Sequence, residues 1–351
     1  MFQIIDEEPD WITYDRWGTY LPEGNLLHDA VGSEDFYKKL EACSVESDAR
    51  EQWDRLMARV TPLGEAIFAL PSAAVRSDPW VLLTLGVRYG GALANVLRLG
   101  GSGLSDPFSK LLEEERITDP FIRNWLDMIC FLLQGATTDE APTTLMAYML
   151  SDFYRPNVSL DFPKGGTKSI VAALVRGIEK HDGCDVRLNT HVEEISVQDG
   201  RATGVVANGG NVIIHAKHVI SNADVWTTRK LISNSQTPDP NLLQEFNDRI
   251  DQLQHCDSFL HLHVGINGTG LPAIPNPAFP AQWASLQKWT LGVDAPRNLV
   301  LCSMSTLLDP SLAPDGCHTI HAYVPATEPY APWEGMDRRS KAYRELVLNL
   351  S

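Results

Sequence analysis

Residues 161–224 read DFPKGGTKSIVAALVRGIEKHDGCDVRLNTHVEEISVQDGRATGVVANGGNVIIHAKHVISNAD, and this stretch decides the fold. After Gly165-Gly166, the apolar residues Ile170, Val171, Leu174 and Ile178 share one face of a helix that stops near His181-Asp182-Gly183. The period then drops to two. Val186 and Leu188 alternate with polar residues, as do Val192, Ile195 and Val197, and Asp199-Gly200 marks a hairpin turn. Val205-Val206, the turn Asn208-Gly209-Gly210 and Val212 to Ile214 predict two more strands, and Val219-Ile220 a return strand. The unit is a glycine-started helix, a parallel-type strand, a β-meander and a return strand.

Upstream, Phe36 to Met57 and Pro107 to Leu150 carry apolar residues at three- and four-residue spacing, which predicts helices. Downstream, Leu231 to Leu253 reads as helix, and Ser258 to Ile266, Leu299 to Ser305 and Thr319 to Val324 read as strands. Helices around a mixed sheet make the class α/β, or α+β mixed, with an inserted helical region. The expected organisation is a mainly helical region 1–160, the helix-and-meander unit 161–232, and a sheet-and-helix region 233–351.

The 351 residues are enough for two domains. With 29 basic and 45 acidic side chains the net charge is −16, which opposes wide contact with phosphate backbones, so no nucleic-acid partner is expected. Six cysteines without a C-x-x-C pair fit neither a zinc knuckle nor a small disulfide scaffold, and suggest an intracellular setting. The acidic start, with Asp6, Glu7, Glu8 and Asp10, shows no targeting signal. Apolar runs are too short to span a bilayer. The stretch 79–105 is different: it has no acidic residue, contains Arg88 and Arg98, and is otherwise rich in Trp, Val, Leu, Tyr and Gly. It reads either as a buried helical pair packed closely through Gly86, Gly90 and Gly91, or as a patch that dips into a lipid surface.

There is no G-x-x-x-x-G-K-[ST] loop and no G-x-S-x-G elbow, and Gly100-Gly101-Ser102-Gly103 lacks the strand and spacing of a dinucleotide fingerprint. His261 and His263 face one side of a strand, with His318 and His321 on a later segment. No carboxylate or cysteine completes a ligand spacing, so these read as hydrogen-bonded structural groups on a half-buried sheet, and no metal site is assigned.

Several segments together carry a family resemblance. Phe162-Pro163-Lys164-Gly165-Gly166, Val192-Glu193-Glu194-Ile195, Gly204-Val205 and His218-Val219-Ile220-Ser221-Asn222-Ala223-Asp224 resemble the second half of the FAD-binding domain of phytoene desaturases and carotenoid isomerases. Met146 to Phe153, Ser258 to Gly265, Asp309 to Pro314 and His321 to Tyr330 are most similar to the carotenoid isomerase (prolycopene isomerase) branch. The resemblance implies a partial Rossmann-like FAD domain over 161–232, of the amine-oxidase-like flavoprotein type, with a helical and mixed-sheet substrate domain. It further implies that the backbone at Val192 lies against the adenine, and that Ser221, Asn222 and Ala223 form a turn of small residues where the chain approaches the dinucleotide.

The family's N-terminal G-x-G-x-x-G and its C-terminal flavin segment have no counterpart here. The sequence therefore reads as an internal piece of a longer flavoprotein or a shortened gene model. FAD is expected of the parent, with little or no binding by this chain alone. The implied activity is cis–trans isomerisation or desaturation of a carotenoid or other polyene lipid, with no catalytic acid or base identified and with the Trp80 to Leu99 and Trp125 to Leu133 helices as candidate pocket walls. The location implied is plastid or membrane-associated if the source is photosynthetic. The alternatives are a non-catalytic relative that binds a lipid or protein, and an amine-oxidase-like flavoprotein with a small polar substrate.

Overall fold

The computed structural model describes residues 5–28, 33–70, 79–235, 243–255, 257–270 and 280–350. The first half runs β1 (Trp11–Tyr14), β2 (Trp17–Leu21), β3 (Gly24–His28), α1 (Ser33–Cys43), α2 (Ala49–Phe68), α3 (Pro79–Gly100), α4 (Phe108–Glu114), α5 (Pro120–Gln134) and α6 (Thr143–Phe153). Next come β4 (Leu160–Pro163), α7 (Lys168–Glu179), β5 (Val192–Gln198), β6 (Arg201–Ala207), β7 (Val212–His215), α8 (Val225–Ser233) and α9 (Gln244–Asp251). The chain closes with β8 (Ser258–Asn267), β9 (Gln282–Leu286), β10 (Leu299–Ser303), β11 (Cys317–Glu328) and α10 (Lys341–Leu350). It is a mixed α/β protein of two compact units, Met1–Glu8 with Val171–Cys256, and Pro9–Ile170 with Asp257–Ser351.

The larger unit is built on a six-stranded sheet of order β3-β2-β9-β10-β11-β8, antiparallel except for β2 beside β9. Its core lies where helices cover the β2, β9 and β10 part. In α2, Trp53, Leu56, Val60 and Leu63 form a buried stripe at three- and four-residue spacing. In α5, Asp119 caps the first turn by accepting the Ile122 N–H, Pro120 opens the helix, and Gly135 ends it in the left-handed conformation. Between them α5 buries Phe121, Ile122, Trp125, Leu126, Met128 and Ile129. Aromatic rings knit these helices together: the Phe36 centroid lies 4.3 Å from Trp53 and 5.2 Å from Trp125, and the Trp125 indole donates to the Tyr154 hydroxyl at 2.7 Å. The Trp125 end of α5 is thus part of the buried core.

The smaller unit is the antiparallel meander β5-β6-β7 with α8 packed on β5. Gly204 is obligatory at its centre, since a Cβ there would overlap the Ile214 carbonyl of β7. The glycine-started helix, the meander, and strands β8, β10 and β11 all form where the sequence predicts them. Three differences have physical reasons. The helical stretch Phe36 to Met57 is two helices, because Ser44 to Asp48 turns between them. The first 28 residues, within the region read as mainly helical, hold three strands, whose signal is the aromatic and β-branched pattern Trp17 to Leu21 before the Pro22-Glu23-Gly24 turn. Val186 to Leu188 and Val219-Ile220 belong to no strand. An extended segment becomes a strand only when a neighbour takes its backbone groups, and among the described residues none pairs with these two. Leu188 is 80% exposed and Ile220 95%.

Candidate functional site

In the smaller unit, Val192 opens β5 opposite Ala207 of β6 and is half-buried. The residue after it is firmly held: the Glu193 carboxylate accepts the Gly209 N–H at 2.7 Å, and its carbonyl accepts from the Asn234 amide at 2.9 Å. Ser221, Asn222 and Ala223 form an exposed turn that leads into α8. Asp224 caps that helix, accepting the Thr227 N–H and hydroxyl at 2.7 Å each. These two bonds, the backbone one first, hold its carboxyl below the ordinary value. The Ser221 and Thr228 hydroxyls share a 2.8 Å hydrogen bond.

Ser221 also lines a cleft of about 380 Å³ whose other walls include Ile195, Val197, Val219, Ile232 and Phe246. Val192, Asn222 and Ala223 do not line it. The structure therefore places Ser221 at an apolar cleft beside β5, while Val192 sits at the far end of the same strand.

The Gly165-Gly166 turn belongs to the larger unit. Both residues have positive φ, +82° and +81°, which favours glycine. Asp309 holds the turn, its carboxylate accepting the Gly165 N–H at 2.6 Å and, on the other oxygen, the Ser311 hydroxyl at 2.6 Å and N–H at 3.0 Å. The Ser311 hydroxyl, then the Gly165 amide, depress its pKa. This role of Asp309 was readable only as a cap signal in Asp309-Pro310-Ser311.

These positions test the fit of a dinucleotide. A pyrophosphate needs free N–H donors at the positive end of a helix. The N-terminus of α8 is occupied by the chain's own Asp224, and in the turn before α7 the Gly165 N–H is taken by Asp309. The described residues around them do not form a pyrophosphate cradle.

The second cluster is on the sheet of the larger unit. His263 of β8 pairs directly with His321 of β11, and His261 with Tyr323, so all four side chains share one face with Phe259. The imidazoles stack, with centroids 4.4 Å apart for His263 and His321 and 5.1 Å for His261 and His321. A 2.8 Å hydrogen bond joins His261 Nδ1 to His321 Nε2. Burial first, then the two neighbouring imidazoles, lowers the His321 pKa. Leu262 and Val264 on the other face are exposed as well, so among the described residues neither face of β8 is covered and the expected half-buried sheet is absent here. His318 stands apart and bonds Thr306 at 3.1 Å. Phe259 and Tyr323 were not anticipated, although their two-residue spacing from His261 and His321 carried the signal.

In α3, a Cβ added at Gly86, Gly90 or Gly91 would meet no atom within 4 Å, so among the described residues these glycines do not serve close packing. Val87 is 81% and Leu97 55% exposed, and Arg88 and Arg98 are exposed, while Val96 is buried. The side chains of residues 79–85, Trp80 among them, lie outside the described residues. Among the described residues, no helix is long and apolar enough to cross a membrane.

Among curated proteins, the chain is 29% identical over 233 residues to the chloroplastic prolycopene isomerase of Daucus carota, a match covering 66% of this chain and 35% of that protein. It is 28% identical over 226 residues to the neurosporene-forming phytoene desaturase of Cereibacter sphaeroides, covering 58% of this chain and 39% of the other. The chain thus spans little more than a third of the curated relatives it matches. Among solved structures, an oxidoreductase from Methanosarcina mazei superposes with a TM-score of 0.61 at 15% identity, over 99% of this chain and 67% of that one. Putrescine oxidase bound to putrescine gives 0.56 at 13%, over 99% and 65%, and these two likenesses speak to fold alone. The family model for flavin containing amine oxidoreductases matches residues 37–350, and with the meander, the Gly165-Gly166 turn and the mixed sheet in place, the chain belongs to that family.

Proposed function

We propose that the chain serves an FAD-dependent enzyme that isomerises or desaturates a carotenoid polyene. The observation that carries this reading is the shared substrate chemistry of the curated relatives, prolycopene isomerases and phytoene desaturases from plants, bacteria and fungi, at 27–30% identity. A polyene hydrocarbon offers no hydrogen-bonding handle, so a protein acting on it supplies apolar enclosure and orientation, and the flavin, when bound, supplies the electron or hydride chemistry. In this chain the meander and the Ser221 turn serve the cofactor side. The six-stranded sheet and its helices serve the substrate side. FAD is the cofactor of this reading.

The test supplies the purified chain with excess FAD and a poly-cis carotene in liposomes, and separates the carotene isomers by chromatography. Redox-neutral isomerisation predicts conversion with reduced FAD, which is recovered reduced. Desaturation predicts conversion with oxidised FAD and an equal amount of flavin reduced. Hydrogen peroxide from a diamine with no change in the carotene would replace the polyene reading by amine oxidation.

A further inference from the structure

The β8 and β11 pair places three imidazoles where one cation can reach them all. His261 and His263 are two residues apart on β8, and His321 is the direct cross-strand partner of His263. One ring nitrogen from each lies within 4.8 Å of the other two. A tetrahedral zinc with Zn–N bonds of about 2.0–2.1 Å spaces its nitrogens by roughly 3.3 Å, so the set must close by at most about 1.5 Å. The rings have the freedom to do so, since His261 and His263 are exposed and His321 is half-buried. Stacked rings hold their lone pairs in parallel planes, so closure is a turn of each imidazole about its Cβ–Cγ bond, with the strand backbones in place.

We propose that His261, His263 and His321 form a transition-metal site on the sheet of the larger unit, binding one Zn²⁺ or a similar imidazole-seeking cation. Neutral imidazoles without a carboxylate among them suit Zn²⁺, Ni²⁺ or Cu²⁺ and give Mg²⁺ or Ca²⁺ no oxygen ligands. Three protein ligands leave a fourth position open, the arrangement of catalytic zinc sites, and here it opens towards solvent beside Phe259 and Tyr323. The metal takes the place of the proton in the 2.8 Å bond between His261 and His321, and that proton moves to the far ring nitrogen or to water.

Calorimetry of the chain with ZnCl₂, and visible spectroscopy with CoCl₂, test the site. One saturable equivalent is expected, with a tetrahedral Co²⁺ spectrum. H263Q and H321Q should each weaken binding by more than about a hundredfold, since even an outer partner of a metal ligand is worth about 10–100-fold. Replacing the exposed thiol by C184S should change nothing. In the wild-type chain, imidazole ¹⁵N resonances of the three ligands should shift on adding Zn²⁺ while His318, held by Thr306, stays, a readout that holds if a variant fails to fold. No saturable binding, or equal binding in both glutamine variants, or unmoved resonances, would overturn the proposal.

Discussion

Lys39 shows what one buried group does to this fold. Its ammonium lies inside the larger unit, 4.7 Å from the Trp125 ring centre and donating to the Thr19 hydroxyl, with no carboxylate bonded to it among the described residues, and burial pushes its pKa down to about 7. Because the folded value is below the unfolded one near 10.5, the unfolded chain binds the extra proton, and stability falls as pH drops from about 10.5 to about 7. Lys39→Met should therefore stabilise the protein by on the order of 2 kcal/mol at pH 6, with the gain fading towards pH 10, as read by urea melts at the two pH values. Asp119 is the opposite case. Its buried carboxylate accepts the backbone N–H groups of Ile122, Val45 and Glu46 at 2.9–3.0 Å, tying the α5 cap to the turn before α2. Asp119→Ala leaves three donors unpaired and should cost about 3 kcal/mol or more, again by urea melts.

Among the elements, the crossing of α2 and α6 depends on one missing side chain. A Cβ on Gly64 would overlap the Ser151 hydroxyl and the Ala147 carbonyl, so Gly64→Ala should destabilise by about 1–3 kcal/mol, although alanine is the better helix former. A raised melting temperature would show that the helices part without cost. For α3, exposed Arg88, Arg98, Val87 and Leu97 lead us to propose contact with a lipid surface, and R88E/R98E should reduce sedimentation with anionic liposomes several-fold. Unchanged sedimentation would refute that contact. Elements whose partners are close in sequence were legible: the hairpin at Asp199-Gly200, the turn at Asn208-Gly209-Gly210 and the helix after Gly165-Gly166 each carry their own punctuation. Val186 to Leu188 alternate and Val219-Ile220 are both β-branched, but neither forms a strand, since pattern gives a segment's preference and pairing depends on a neighbour. The long-range pairing of β2 beside β9 had no local signal at all.

At the scale of the whole molecule, the flavoprotein family was readable from spaced motifs distributed along nearly the entire chain, and the family match over residues 37–350 agrees. The site was less legible. Residues 221–223 were assigned through resemblance, and only Ser221 meets the apolar cleft, because which wall a turn reaches is set by the packing of α8 on β5. The imidazole cluster likewise needed the register of β8 against β11, which H-x-H spacing alone does not give. The net charge of −16 is carried with an acid-free α3, so the average conceals the surface that faces lipid in our proposal. Titrating a carotene into the chain while recording induced circular dichroism in the polyene band tests the substrate class without a flavin. A polyene site gives a saturable signal that putrescine does not displace. A carotene that stays optically inactive while putrescine binds would rule the polyene reading out.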